Sequence, residues 1–167
     1  MKKTTLQLQD LGQSVWYDNI KRNLLENGEL AGMIERGEIW GVTSNPSIFM
    51  KAITQSDDYD ASLEPLKDSE LTAEEIFFEL AIEDIQAATD LFESLYKESK
   101  GGDGYVSLEV SPYIADETQE TIDQAKDLWQ RIDRPNLMIK IPATKAGLPA
   151  IEEAIFAGVN VNVTLIF

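Results

Sequence analysis

Short runs of β-branched and aromatic residues alternate along this chain with longer stretches whose apolar residues recur every three or four positions. QSVWYD (13–18) and IWGVTSN (39–45) read as the first two strands, and NLLENGELAGMIERG (23–37) between them as a helix stopped by a glycine. The clearest helix is LTAEEIFFELAIEDIQAATDLFESLYKES (71–99), where Phe77, Leu80, Ala81, Ile85, Ala88, Phe92 and Leu95 share a face. Thr72 and Glu75 have the spacing of a capping box at its start. GGDG breaks this helix before a third strand, YVSLEVS (105–111). DETQETIDQAKDLWQRI (116–132) follows as a helix, with Asp116 as candidate N-cap, Gln119 three residues on, and Ile122, Ala125, Leu128, Trp129 and Ile132 at helical spacing. NLMIKIPA (136–143) is the fourth strand, GLPAIEEAIFAG (147–158) a helix ended by Gly158, and VNVTLIF (161–167) the fifth strand.

Strands alternating with helices of this length imply right-handed crossovers and a parallel sheet. Neither GxGxxG nor GxxxxGK[ST] follows the first strand, so no nucleotide fingerprint supports an open doubly wound sheet. The alternative is a (β/α)8 barrel, which needs ~250 residues when complete. The 167 residues hold five strand-helix units, so we expect an α/β chain forming one partial barrel domain over 1–167, cut after the fifth strand.

Side chains two apart on a strand share a face, and this parity picks out the polar positions. Val106, Leu108 and Val110 leave Ser107 and Glu109 on the other face; Leu137, Ile139 and Ile141 leave Met138 and Lys140. Val161, Val163 and Leu165 leave Asn162 and Thr164, while Thr43 and Asn45 share a face, as do Trp16 and Asp18. With the apolar faces against outer helices, Asp18, Asn45, Glu109, Lys140, Asn162 and Thr164 converge at the strand ends where barrel enzymes place their sites. Some have ordinary readings: an Asp after a strand caps a helix, and an Asn before Pro makes a turn. Glu109, between Leu108 and Val110, needs a partner or a proton. Lys140 inside an apolar run is either an edge lysine whose head reaches water or an amine able to attack a carbonyl, because desolvation lowers a lysine pKa. Lys145, five residues on, reads as a surface charge.

Composition narrows the chemistry further. The chain has no Cys and no His, which removes thiolate nucleophiles, a His base, and Cys or His metal ligands. Its 14 Lys and Arg against 30 Asp and Glu give a formal charge of −16, which argues against nucleic acid and anionic membranes. No run approaches a membrane span, and MKKTTLQLQDLGQ lacks the apolar region of a signal peptide, so a cytoplasmic location is expected.

Two segments resemble the signatures of the transaldolase family, Schiff-base enzymes with a (β/α) barrel. GVTSNPSIF (41–49) resembles the T[ST]NP turn after the second strand, and LMIKIPATKAGLPAIEE (137–153) the region around the Schiff-base lysine. The resemblance implies that Lys140 attacks the substrate carbonyl, that Asp18 is the acid/base at the C4 hydroxyl, and that Glu109 works through a water held with Thr164. Asn45 and Asn162 would hold the three-carbon unit, with Thr43 beside them. The implied reaction moves dihydroxyacetone from sedoheptulose 7-phosphate or fructose 6-phosphate to glyceraldehyde 3-phosphate or erythrose 4-phosphate, in the pentose phosphate pathway, with neither metal nor organic cofactor.

In that family an arginine and a serine after the fifth strand grip the substrate phosphate, and Arg22, Arg36, Arg131 and Arg134 match no such position. Two other readings stay open. One is a related Schiff-base aldolase that releases dihydroxyacetone. The other is a non-catalytic half-barrel that associates through its open sheet edge or as a homo-oligomer, since unpaired strand edges seek partners.

Overall fold

The computed structural model describes residues 4–166. After α1 (Thr4–Asp10), five strands alternate with helices: β1 (Trp16–Asp18), α2 (Arg22–Glu26), α3 (Glu29–Glu35), β2 (Gly41–Thr43), α4 (Pro46–Thr54), α5 (Asp60–Leu63), α6 (Ala73–Glu98), β3 (Tyr105–Glu109), α7 (Thr118–Ile132), β4 (Leu137–Pro142), α8 (Gly147–Phe156) and β5 (Val161–Thr164). Short 3-10 turns occupy Glu64–Leu66 and Pro112–Ile114. The strands form one sheet in the order β1-β2-β3-β4-β5, with every pair parallel. Sequential parallel order with a helical connection at each step is the pattern of a (β/α) barrel, here represented by five strands. No helix among the described residues is long and apolar enough to cross a membrane.

The strands carry their apolar faces outward. Val42, Val106, Leu108, Leu137, Ile139 and Ile141 are buried in one core with Ala81, Ile85, Ala88 and Phe92 of α6 and Ala125, Leu128 and Ile132 of α7. α6 begins as its sequence implies: the Thr72 hydroxyl accepts from the Glu75 amide at 3.2 Å, and the Glu75 carboxylate accepts from the Thr72 amide at 2.7 Å. Its inward face is wider than the apolar spacing suggests. Phe78, Ile82 and two polar residues, Asp84 and Thr89, are buried there, while Phe77 and Leu95 are only partly buried.

Several local expectations are corrected. The helix expected over 23–37 is two helices, because Gly28 takes the left-handed conformation (φ 81°) between α2 and α3. Asp116 is not the N-cap of α7. The Glu117 amide donates to the Ile114 carbonyl at 2.9 Å, and this turn delays the helix until Thr118, with Glu117 as an N-cap that makes no side-chain cap bond. Leu165 does not continue the apolar face of β5; its φ of 58° turns the chain out and leaves the side chain exposed. The first two strands are shorter than read, and Asn45 lies beyond β2 as the N-cap of α4.

Gly147 joins the fourth strand to its helix under tight constraint. A Cβ there would lie 2.0 Å from the Pro142 carbonyl oxygen, a backbone atom that cannot rotate away. Gly147→Ala is expected to cost ~1–3 kcal/mol through this overpacking, read as a lowered urea midpoint with an unchanged slope.

Candidate active site

The inner face of the sheet carries the polar side chains, and its register sets two of them beside Lys140. Glu109 of β3 and Asn162 of β5 are its direct neighbours across the ladder. The Lys140 side chain is 15% exposed and that of Glu109 19%, and Lys140 Nζ lies 3.3 Å from Glu109 Oε2. Burial on this scale demands a partner for an ammonium, and the carboxylate supplies it. Lys140 Nζ also donates to the Ser44 carbonyl at 3.3 Å.

A second set of contacts runs one layer below. Asn162 Nδ2 donates to Ser107 Oγ at 3.1 Å, Ser107 Oγ donates to Thr43 Oγ1 at 3.2 Å, and Ser44 Oγ donates to the Ser107 carbonyl at 2.9 Å. Two of these links report the shape of the sheet. Neighbouring strands lie ~4.8 Å apart, so side chains two strands away in a flat sheet would not meet. Asn162 of β5 nevertheless reaches Ser107 of β3, and Lys140 of β4 reaches the residue after β2. The inner face is therefore concave, as in a barrel whose interior layers are built from alternate strands.

The remaining expected residues stand at the same strand ends with looser ties. Asp18 closes β1 in register with Thr43, is exposed, and has no side-chain partner among the described residues. Thr164 closes β5 opposite Pro142, half-buried, and its carbonyl accepts from the Ala143 amide at 2.8 Å. Asn45 takes the capping position that its place before Pro46 offered. Its Oδ1 caps α4 by accepting from the Ile48 amide at 3.0 Å, and its amide nitrogen has no partner among the described residues. Lys145 is exposed on the loop before α8.

Ser107 and Ser44 were not among the expected site residues. Strand parity had placed Ser107 on the inner face, and its complete burial is the sign that it belongs to the set. Ser44 enters mainly through its backbone carbonyl, for which residue type carries no signal.

The arrangement brings a shielded primary amine, a carboxylate within proton-transfer reach, and a fixed amide and hydroxyl chain onto one concave face. Such a set suits carbonyl addition followed by proton relay. The family profile described as Transaldolase/Fructose-6-phosphate aldolase matches residues 15–167. Among curated relatives, a transaldolase of Trichodesmium erythraeum is 49% identical over 97% of this chain and 43% of that protein. Those of Thiobacillus denitrificans and Thermobifida fusca are each 48% identical, over 94% and 96% of this chain and 44% of their own lengths. The chain thus spans less than half the length of the relatives it matches. It belongs to the transaldolase/fructose-6-phosphate aldolase family.

Proposed function

We propose that residues 1–167 form the N-terminal part of one barrel domain of a transaldolase, the part that carries the Schiff-base chemistry. The observation that carries this reading is the Lys140 amine held 3.3 Å from the Glu109 carboxylate at the C-terminal ends of parallel strands. The similarity to curated transaldolases at 48–49% identity supports it.

An ammonium cannot attack a carbonyl, so Lys140 first passes a proton to Glu109, its nearest carboxylate. The free amine adds to C2 of fructose 6-phosphate or sedoheptulose 7-phosphate. Glu109 and Thr164 hold a water that moves the protons needed to expel the C2 oxygen as water, leaving a protonated imine. Asp18 takes the C4 hydroxyl proton, the C3–C4 bond breaks, and its electron pair passes into the imine to give an enamine on Lys140. The aldose phosphate leaves, and a second one enters. The enamine carbon attacks its aldehyde, Asp18 returns the proton, and hydrolysis frees Lys140. Asn45, Asn162 and Thr43 hold the three-carbon unit between the two halves. Protonation of the imine nitrogen supplies the electron sink.

The test is reductive trapping. Full-length protein treated with borohydride and fructose 6-phosphate is expected to gain a reduced adduct on Lys140, located by peptide mass. An adduct on another lysine, or none, would overturn the assignment.

A further inference from the structure

We propose that Tyr59 is a positioning residue for the carbon–carbon cleavage step: its hydroxyl locks the segment between β1 and α2, so that the Asp18 carboxylate keeps its place at the strand ends. The catalytic part of this role rests on the transaldolase reading above; the lock itself does not.

Asp18 needs support from outside its strand. Its carboxylate is exposed and has no side-chain partner among the described residues, and β1 pairs with β2 over only three residues. Such a carboxylate is placed by its backbone alone. The backbone just past it gains little from the start of α2, where Lys21 stands at the N-cap without a side-chain cap bond. Ile20 is buried and pins one point of the segment by packing. A directional contact at a second point is what fixes its course.

Tyr59 supplies that contact. It is fully buried just before α5, and its hydroxyl oxygen accepts from the Arg22 amide, the first of α2, at 3.2 Å. The same hydroxyl donates to Asp84 Oδ2 at 2.6 Å, and Arg22 Nε donates to Asp84 Oδ1 at 2.9 Å. Arg22 is thus held twice, through its backbone by way of Tyr59 and through its side chain directly, on the two oxygens of one buried carboxylate. Burial pushes the Tyr59 hydroxyl well above the usual phenol range, so it keeps the proton that it donates. This closed set of bonds ties residue 22, four residues past Asp18, to α5 and α6.

Stability alone does not account for these groups. Asp84 sits among Ala81, Ile85 and Ala88 on the buried face of α6, where an apolar residue would pack. Well-packed apolar groups in place of a buried ion pair are often neutral or stabilising, so what the polar set adds is geometry. Geometry matters here because a reacting group misplaced by about 1 Å can lose ~10²-fold in rate.

The experiment compares full-length protein with Tyr59→Phe, which keeps the ring and removes the hydroxyl. Amide hydrogen exchange over residues 18–22 should speed up several-fold, with β4 unchanged. Turnover of fructose 6-phosphate with erythrose 4-phosphate should fall about tenfold. The rate of borohydride trapping on Lys140 should stay at the parent value, because imine formation precedes the step assigned to Asp18. A second variant, Arg22→Met/Asp84→Leu, replaces the pair by apolar groups and so separates stability from positioning. Its urea midpoint should lie near that of the parent while its turnover stays low, and it decides the matter if Tyr59→Phe does not fold. Unchanged exchange over 18–22 in Tyr59→Phe overturns the lock. Faster exchange with parental turnover, or a double variant that recovers stability and turnover together, overturns the positioning role. Trapping that falls in step with turnover also overturns it, since the whole site would then have loosened. Absence of trapping in the parent would sink the transaldolase reading, while hydrogen exchange still decides the lock.

Discussion

Lys140→Met in the full-length protein is expected to lower turnover of fructose 6-phosphate with erythrose 4-phosphate by ~10⁴-fold or more, the scale lost when a nucleophile acting with its base is removed. Methionine keeps the length and apolar stem of the side chain and removes the amine, so the strand and its outward core contacts should survive. The substitution also leaves Glu109 without its cation at 3.3 Å. A second variant separates the two effects. In Glu109→Gln the amine remains but the proton relay that forms the imine is gone, so kcat and the rate of borohydride trapping should both fall by about 10²–10⁴, with an adduct on Lys140 still accumulating at long times. The measurement is coupled-assay turnover alongside the rate and yield of trapping. Residual turnover in Lys140→Met within tenfold of the parent would remove Lys140 from the chemistry.

Lys140 and Glu109 were legible in the sequence because each is a charged residue whose immediate strand neighbours, Ile139 and Ile141 or Leu108 and Val110, are apolar and share the opposite face. In such a strand a polar side chain opposite an apolar face can point in only one direction, and the ladder register then makes the two neighbours. Asn162 was legible for the same reason. Asp18 and Asn45 were readable only in part, since β1 and β2 have three residues each and alternation barely begins. What decides their placement is the curl of the sheet and the cap of α4, which are tertiary outcomes. α1, α4 and α5 were not anticipated. PSIFMKAIT has only nine residues and opens on a Pro that equally suits a turn, while α1 buries no side chain to create a pattern. The Gln119 spacing after Asp116 pointed to a cap that the Glu117 turn displaced, a case of local geometry overriding a side-chain preference.

The same contrast applies to Arg22, which the sequence excluded from a phosphate site without giving it another task. Its Nε donates to Asp84 Oδ1 at 2.9 Å and its guanidinium to Glu83 at 2.7 Å and to Ser62, and it lies 4.6 Å over the Tyr59 ring. Tyr59 in turn donates to Asp84 Oδ2 at 2.6 Å. A signal for this cluster existed. Asp84 lies at helical spacing from Ala81 and Ala88 on the buried face of α6, where a carboxylate must find a cation or a proton. Arg22 provides the cation and so ties the segment after Asp18 to α6.

Arg22→Ala is expected to destabilise the protein by ~3–5 kcal/mol, the cost of leaving one member of a buried pair behind. The loss should depend on pH in a defined sense. Burial already pushes the Asp84 carboxyl above the usual carboxylate range, against the opposing pull of Tyr59 and Arg22. Without Arg22 that pull is weaker, so the folded-state value rises further while the unfolded value stays near ~3.9. Between those two values the folded state binds more protons than the unfolded one, and stability falls as pH rises. Below the unfolded value Asp84 is protonated in both states and the penalty of an unpaired charge vanishes. The variant should therefore approach the parent at acid pH and lose ground progressively as pH rises through the folded value of Asp84. Urea unfolding across pH checks this. Arg22→Met with Asp84→Leu, which replaces the pair by apolar groups, should recover much of the loss and flatten the pH dependence. A destabilisation independent of pH would mean that lost packing, and not an uncompensated carboxylate, is what Arg22 prevents.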